Sequence, residues 1–185
     1  AVATLTERLG RFTPEVEPSS EEPGVFWLSG AGLGRLYASL EEWARVIVAD
    51  LGSLGFRSTV VVGFTRFGTY AVASAREGTV VFENPAQERA AAQQVRLDRL
   101  DLDPNLRDTL SKLGMATVGA LLSLPAGGLF ERFGSETYRL HRMASGDLWD
   151  PLRPCAPEEP VRQKLLLDDP ETDSTRLLFL IKSLL

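Results

Sequence analysis

The chain has 185 residues, of which 44% are hydrophobic and 24% charged, and its net charge is −5. That composition excludes disorder, collagen and coiled coil as whole-chain descriptions, and no apolar run reaches the ~18 residues a membrane helix needs. One cysteine, Cys155, and one histidine, His141, exclude a disulfide framework, a Cys-rich zinc site and a multi-His metal centre.

Leu5, Leu9 and Phe12 stand at helical spacing and predict the end of a helix over 1–12. Residues 13–23 read as a loop or edge strand, broken by Pro14, Pro18 and Pro23. Gly24 to Ser29 is apolar on both faces and predicts a buried central strand. Gly30 to Gly34 is a glycine-rich turn without phosphate-loop or dinucleotide spacing. Ser39 and Glu42 form a capping box, and Leu40, Trp43, Ala44, Ile47 and Leu51 line one helical face. Thr59 to Val62 predicts a second buried strand, Thr65 to Ala75 a helix, and Thr79 to Phe82 a third strand after Gly78. Alternating strands and helices point to an α/β layer sandwich, with strand directions left open.

Residues 85–94 read as an Ala/Gln-rich helix or a linker. The pattern then becomes all-helical. Pro104 opens a helix with Leu106, Leu110 and Leu113 on one face, and Gly114 breaks it. Thr117 starts a second helix with Val118, Leu121 and Leu122 inward, and Pro125 ends it. After Gly127 and Gly128 comes another short helix. Gly134 breaks that one, and Ser135 caps a last helix to about Ser145. Pro151, Pro154, Pro157 and Pro160 mark an extended linker. Val161, Gln163, Leu165 and Leu167 alternate with basic residues as a half-exposed strand, and Ser174 starts an apolar-faced helix. The chain begins without Met and ends inside that helical pattern, which predicts a fragment of a larger protein. No secretory signal pattern stands at its start, and the low cysteine use favours the cytoplasm.

Few residues point to chemistry. Leu110 to Leu121 reads as helix, glycine turn, helix, an arrangement that aims backbone N–H groups at a phosphate. Arg107 and Lys112 would add charge there, and a plain helical hairpin is the competing account. Arg66 at a helix start would meet a phosphate, whereas Arg76 at its end also suits the helix dipole. The pairs Glu21-Glu22, Glu41-Glu42, Asp101/Asp103 and Asp168-Asp169 fall in loops, turns or a first helical turn. None sits on a rigid strand, as two-metal chemistry requires, so no metal site is expected. His141 has no partner placed by the sequence and reads as structural, and Cys155 carries no motif.

In this order the pieces resemble a Y-family translesion DNA polymerase. Val62 to Phe67 and Ala73 to Gly78 resemble that family's Val-Gly-Ile-Ser-x-Asn and Ala-Ser-x-x-Ala-Lys-Pro-x-Gly stretch. Leu113 to Leu121 resembles the Leu-Gly-Ile-x-Thr-Ile-Gly-Asp-Leu of its thumb, and Ala144 to Asp147 the close of that thumb. The resemblance implies a partial, ferredoxin-like α/β palm over 1–93 and an all-α helix-hairpin-helix thumb over 94–150. A linker over 151–160 and the start of an α/β little finger over 161–185 would follow. The first palm half, the fingers and most of the little finger are absent from the chain.

The family's palm strand carries Asp-Glu for metal chemistry, but Pro23 and Gly24 stand at those positions. A shift of register would bring Glu21 and Glu22 nearer and misalign Val25 to Leu28. Asp103-Pro104 replaces the first glycine hairpin of the thumb, with Asp101 and Asp103 repelling DNA there. Gly24 to Leu28, Gly32 to Leu36, Gly63 to Tyr70 and Trp149 to Pro154 resemble the ImuB-type subgroup, a non-catalytic component of a bacterial mutasome induced by DNA damage. The resemblance implies an adaptor that is not an enzyme and uses no cofactor. Arg66, Arg76, Arg107, Lys112, Gly114 and Thr117 would make weak DNA contacts. Its implied partners are a RecA-like mutasome protein, an error-prone C-family polymerase and the sliding clamp. An active translesion polymerase and a simple DNA-binding module are the alternatives.

Overall fold

The computed structural model describes residues 2–148, 150–155 and 172–183. The chain divides into two compact units, 1–155 and 156–185. In the second, the described element is the helix Ser174–Ser183, which begins where the sequence places it. The strand expected over 161–167 and the linker beyond 155 lie outside the described residues.

The first unit opens with helix α1 (Val2–Leu9). Strands β1 (Val16–Pro18) and β2 (Phe26–Leu28) follow as an antiparallel hairpin with Val16 opposite Leu28 and Pro18 opposite Phe26. Helix α2 (Leu40–Ser53) starts at Ser39, whose Oγ accepts from the Glu42 N–H at 3.1 Å. The Glu42 carboxylate reaches back to the Ala38 N–H, one residue beyond the usual capping-box donor. Strands β3 (Thr59–Val62) and β4 (Gly78–Val81) pair in parallel, with helix α3 (Arg66–Ala75) as the crossover between them.

The stretch 24–29 was expected to form a buried central strand. It forms the shorter β2, whose residues are half-buried and whose ladder partner is β1. The reason lies in its two faces. Phe26 and Leu28 pack on the core, while the Trp27 ring carries the Arg66 guanidinium, a polar cover in place of a second apolar layer. The residues of β3 are likewise half-buried rather than enclosed.

Helix α4 (Pro85–Gln93) is a true helix, started by Asn84, which accepts from the Gln87 N–H. Three more helices follow: α5 (Pro104–Lys112), α6 (Val118–Leu122) and α7 (Leu129–Ser145), the last kinked at Gly134. The turn from α5 to α6 is a Schellman motif. Gly114 takes φ +77° and donates to Ser111, and the Met115 N–H donates to Leu110. That left-handed step buries Met115 and leaves Leu113 55% exposed. Leu113 was expected on the buried face. It lies one residue past the helix, so helical spacing no longer governs it.

Two apolar clusters hold the unit together. Leu9, Val16, Leu33, Trp43, Ile47 and Leu51 form one, with Phe26, Leu28, Val60 and Val62 against it. The other runs from Ala71 and Val72 on α3, through Ala92, to Leu110, Val118, Leu121 and Leu140. It therefore draws on residues on both sides of position 93.

Candidate nucleic-acid interface

The β1–β2 loop is where the resemblance would place metal-binding acids. Ser19 organises it: its N–H donates to the Val25 carbonyl and its Oγ accepts from the Glu22 N–H at 3.0 Å. Gly24 takes φ +98°, a conformation that suits glycine and strains other residues. The two carboxylates of the loop are drawn to different elements. Glu21 meets Arg139 of α7 at 3.2 Å, an exposed pair. Glu22 lies beside Tyr70 of α3. Burial, reinforced by the Glu22 carboxylate, pushes the Tyr70 phenol up to about 12, against the opposing pull of the Asp101 N–H. That N–H donates to the phenol oxygen at 3.2 Å. Among the described residues, no three His, Cys, Asp or Glu side chains converge as a metal site. Pro23 and Gly24 offer no side-chain ligand, and the carboxylates of the loop are those of Glu21 and Glu22.

Arg66 follows Thr65, the N-cap of α3, whose Oγ1 accepts from the Gly68 N–H. Its guanidinium meets Glu17 of β1 through two bonds, at 2.9 and 3.0 Å, and Asp150 at 3.4 Å. It also donates to the Pro151 carbonyl and stacks 4.5 Å above the Trp27 ring. Glu17 receives a further bond from the Arg153 N–H at 2.6 Å. Burial alone would raise the Glu17 carboxyl. The hydrogen bonds from Arg66 and Arg153 outweigh it and hold the group below its ordinary value. A phosphate reaching Arg66 would have to displace two carboxylates. Arg76 lies at the other end of α3, about 15 Å along its axis, and is exposed.

The helical hairpin gathers the remaining candidates. Asp103 caps α5, accepting from the Asn105 and Leu106 N–H groups, which gives this acid a structural task. Thr117 caps α6 by accepting from the Ala120 N–H at 3.2 Å. The start of α6 is tied to the 95–97 segment: Val118 donates to Val95, and Leu97 donates to Ala116. Gly119 lies where α6 crosses α4, and a Cβ there would press on the Gln93 carbonyl at 3.1 Å. Lys112 and Gly114 are exposed at the turn, and Arg107 is half-exposed. Arg96 and Arg99, which sequence reasoning passed over, join Arg107 around Asp98. Hydrogen bonding from Arg96, then the charges of Arg96, Arg99 and Arg107, hold the Asp98 carboxyl low. The bridge between Arg96 and Thr117 brings this basic group to the hairpin, and only the fold reveals that proximity.

Sequence reasoning also missed Glu88. It lies on α4, is 2% exposed, and accepts from the N–H groups of Phe64 and Thr65 and from the Thr65 hydroxyl. A Cβ at Gly63 or Gly68 would overlap its carboxylate. Its partners precede it by 23 or 24 residues, so no local motif announces it. His141 is buried and neither ring nitrogen has a hydrogen-bond partner among the described residues, while Cys155 is exposed.

No protein-family model and no curated protein matches the chain. Solved structures do. The chain is similar to a DinB family error-prone DNA polymerase from Sulfolobus solfataricus, with TM-score 0.65 and 16% identity over 83% of this chain and 47% of that one. A structure of DinB from the same organism matches with TM-score 0.63 and 17% identity, over 83% of this chain and 46% of that one. A Dbh ternary complex matches with TM-score 0.61, 17% identity and the same coverage. The chain thus has the fold of part of a Y-family DNA polymerase and spans less than half the length of each of these structures. Among the described residues, no helix is long and apolar enough to cross a membrane.

Proposed function

We propose that the chain is part of a non-catalytic, Y-family polymerase-like adaptor that acts at damaged DNA during translesion synthesis. The carrying observation is the β1–β2 loop. Pro23 and Gly24 stand where the resemblance calls for metal-binding acids, and the neighbouring Glu21 and Glu22 are engaged by α7 and α3. Two-metal phosphoryl transfer needs carboxylates held together on one face. On this reading 1–93 serves as the partial palm and 94–150 as the thumb. The helical hairpin with Lys112, Gly114, Thr117 and Arg107, joined by Arg96 and Arg99, supplies sequence-independent phosphate contact. The net charge of −5 suits weak DNA binding and recruitment of proteins. The ImuB-type resemblance nominates the partners: a RecA-like mutasome protein, an error-prone C-family polymerase and the sliding clamp.

A second reading, an active translesion polymerase, is favoured by the error-prone polymerase among the structural matches. Primer extension by the full-length protein, with Mg²⁺ and all four nucleotides, separates the two. Anisotropy on the same primer–template reports binding. The adaptor should bind without extending the primer. Extension that vanishes in the Glu21→Ala/Glu22→Ala double variant would sink the adaptor reading.

A further inference from the structure

Residues 150–155 run beside the β1–β2 hairpin as a strap. The Cys155 N–H donates to the Val16 carbonyl at 2.9 Å, and the Arg153 N–H donates to Glu17. Arg66 closes the other side through Asp150 and the Pro151 carbonyl. The strap buries little apolar surface: Leu152 is half-buried, and residues 150, 151, 153, 154 and 155 are exposed. Its attachment therefore rests on hydrogen bonds and charge, with almost no hydrophobic burial behind it. The boundary between the two compact units falls directly after its last residue.

We propose that Glu17 and Arg66 form a latch that fastens the 150–155 strap to the β1–β2 hairpin, so that the strap can open while the rest of the fold stays closed. Glu17 is the shared element, since one carboxylate accepts from Arg66 and from the strap backbone. Arg66 is its counterpart, because a planar fork can serve Glu17, Asp150 and Pro151 together. Unlatched, the six residues of the strap could extend over about 20 Å.

Hydrogen exchange at the Arg153 and Cys155 amides tests the latch. In Glu17→Gln both should exchange at least tenfold faster than in the unaltered chain, while the α2 amides of Trp43 to Leu51 keep their protection. Arg66→Lys keeps the charge and loses the fork, so it should give intermediate rates. Cys155, the sole cysteine of the chain, also takes a nitroxide label, whose mobility should rise in the same order. Equal rates in all three proteins would overturn the latch. So would strap exchange that rises in both variants only together with α2 exchange, since the strap would then open only with the whole fold.

Discussion

At the scale of single residues, buried Glu88 fastens α4 to the start of α3. It satisfies two backbone donors and one hydroxyl at the start of α3, and Gly63 and Gly68 leave the space it fills. Glu88→Ala leaves those donors unpaired, and each unpaired buried group costs about 1–3 kcal/mol. The expected loss is roughly 3 kcal/mol, read as a lower urea midpoint. An unchanged midpoint would show that water or a neighbour replaces the carboxylate. The Ser39 cap and the helix starts at Thr65 and Thr117 were legible in the sequence, because each side chain acts within three residues. Glu88 was not, because its donors lie on another element. Arg66 was legible as a charge at a helix start. Its engagement by Glu17 and Asp150 was not, since those partners come from β1 and from the strap.

At the scale of elements, the helices followed from periodicity and punctuation. Pro104, Gly114 and Thr117 stand in the roles their chemistry predicts. The strands were harder. An apolar run such as 24–29 announces a strand but not its partner, because ladder bonds form between segments whose separation the sequence does not encode. The β3–β4 pair is parallel because a helix joins it, whereas β1 and β2 turn back directly and pair antiparallel. The helical hairpin carries its own prediction. If Lys112 contacts phosphate, Lys112→Ala in the full-length protein should weaken binding to all sequences alike and lower the salt slope of log K by about one. Anisotropy titrations between 50 and 200 mM salt measure both. A slope unchanged within error would remove Lys112 from the interface.

At the scale of the whole first unit, one apolar cluster joins α3 and α4 to α5, α6 and α7. The sequence shows a change of character near 93, from alternating strands and helices to helices alone. The packing crosses that point without a break. Leu121, fully buried, is central to the cluster. Leu121→Ala should cost about 2–5 kcal/mol. It should also lower the melting of reporters placed in α3 and in α6 by the same amount. Separate shifts would mean that the two regions unfold independently. The fold shared with Y-family polymerases was legible through the motifs around Gly63 and Gly114. The engagement of Glu21 and Glu22 was not legible, since it needs α7 and α3 in place.

The stacking of Arg66 on Trp27 has an optical consequence. Trp43 is buried at 3% exposure with its indole N–H bound to the Phe12 carbonyl, so its emission follows the integrity of the core. Trp27 lies under a guanidinium held by Glu17, so its emission follows the local ionic arrangement at the hairpin. With Trp149 changed to Phe, the two indoles become separate dyes within one chain, one reading the solid interior and the other its charged margin.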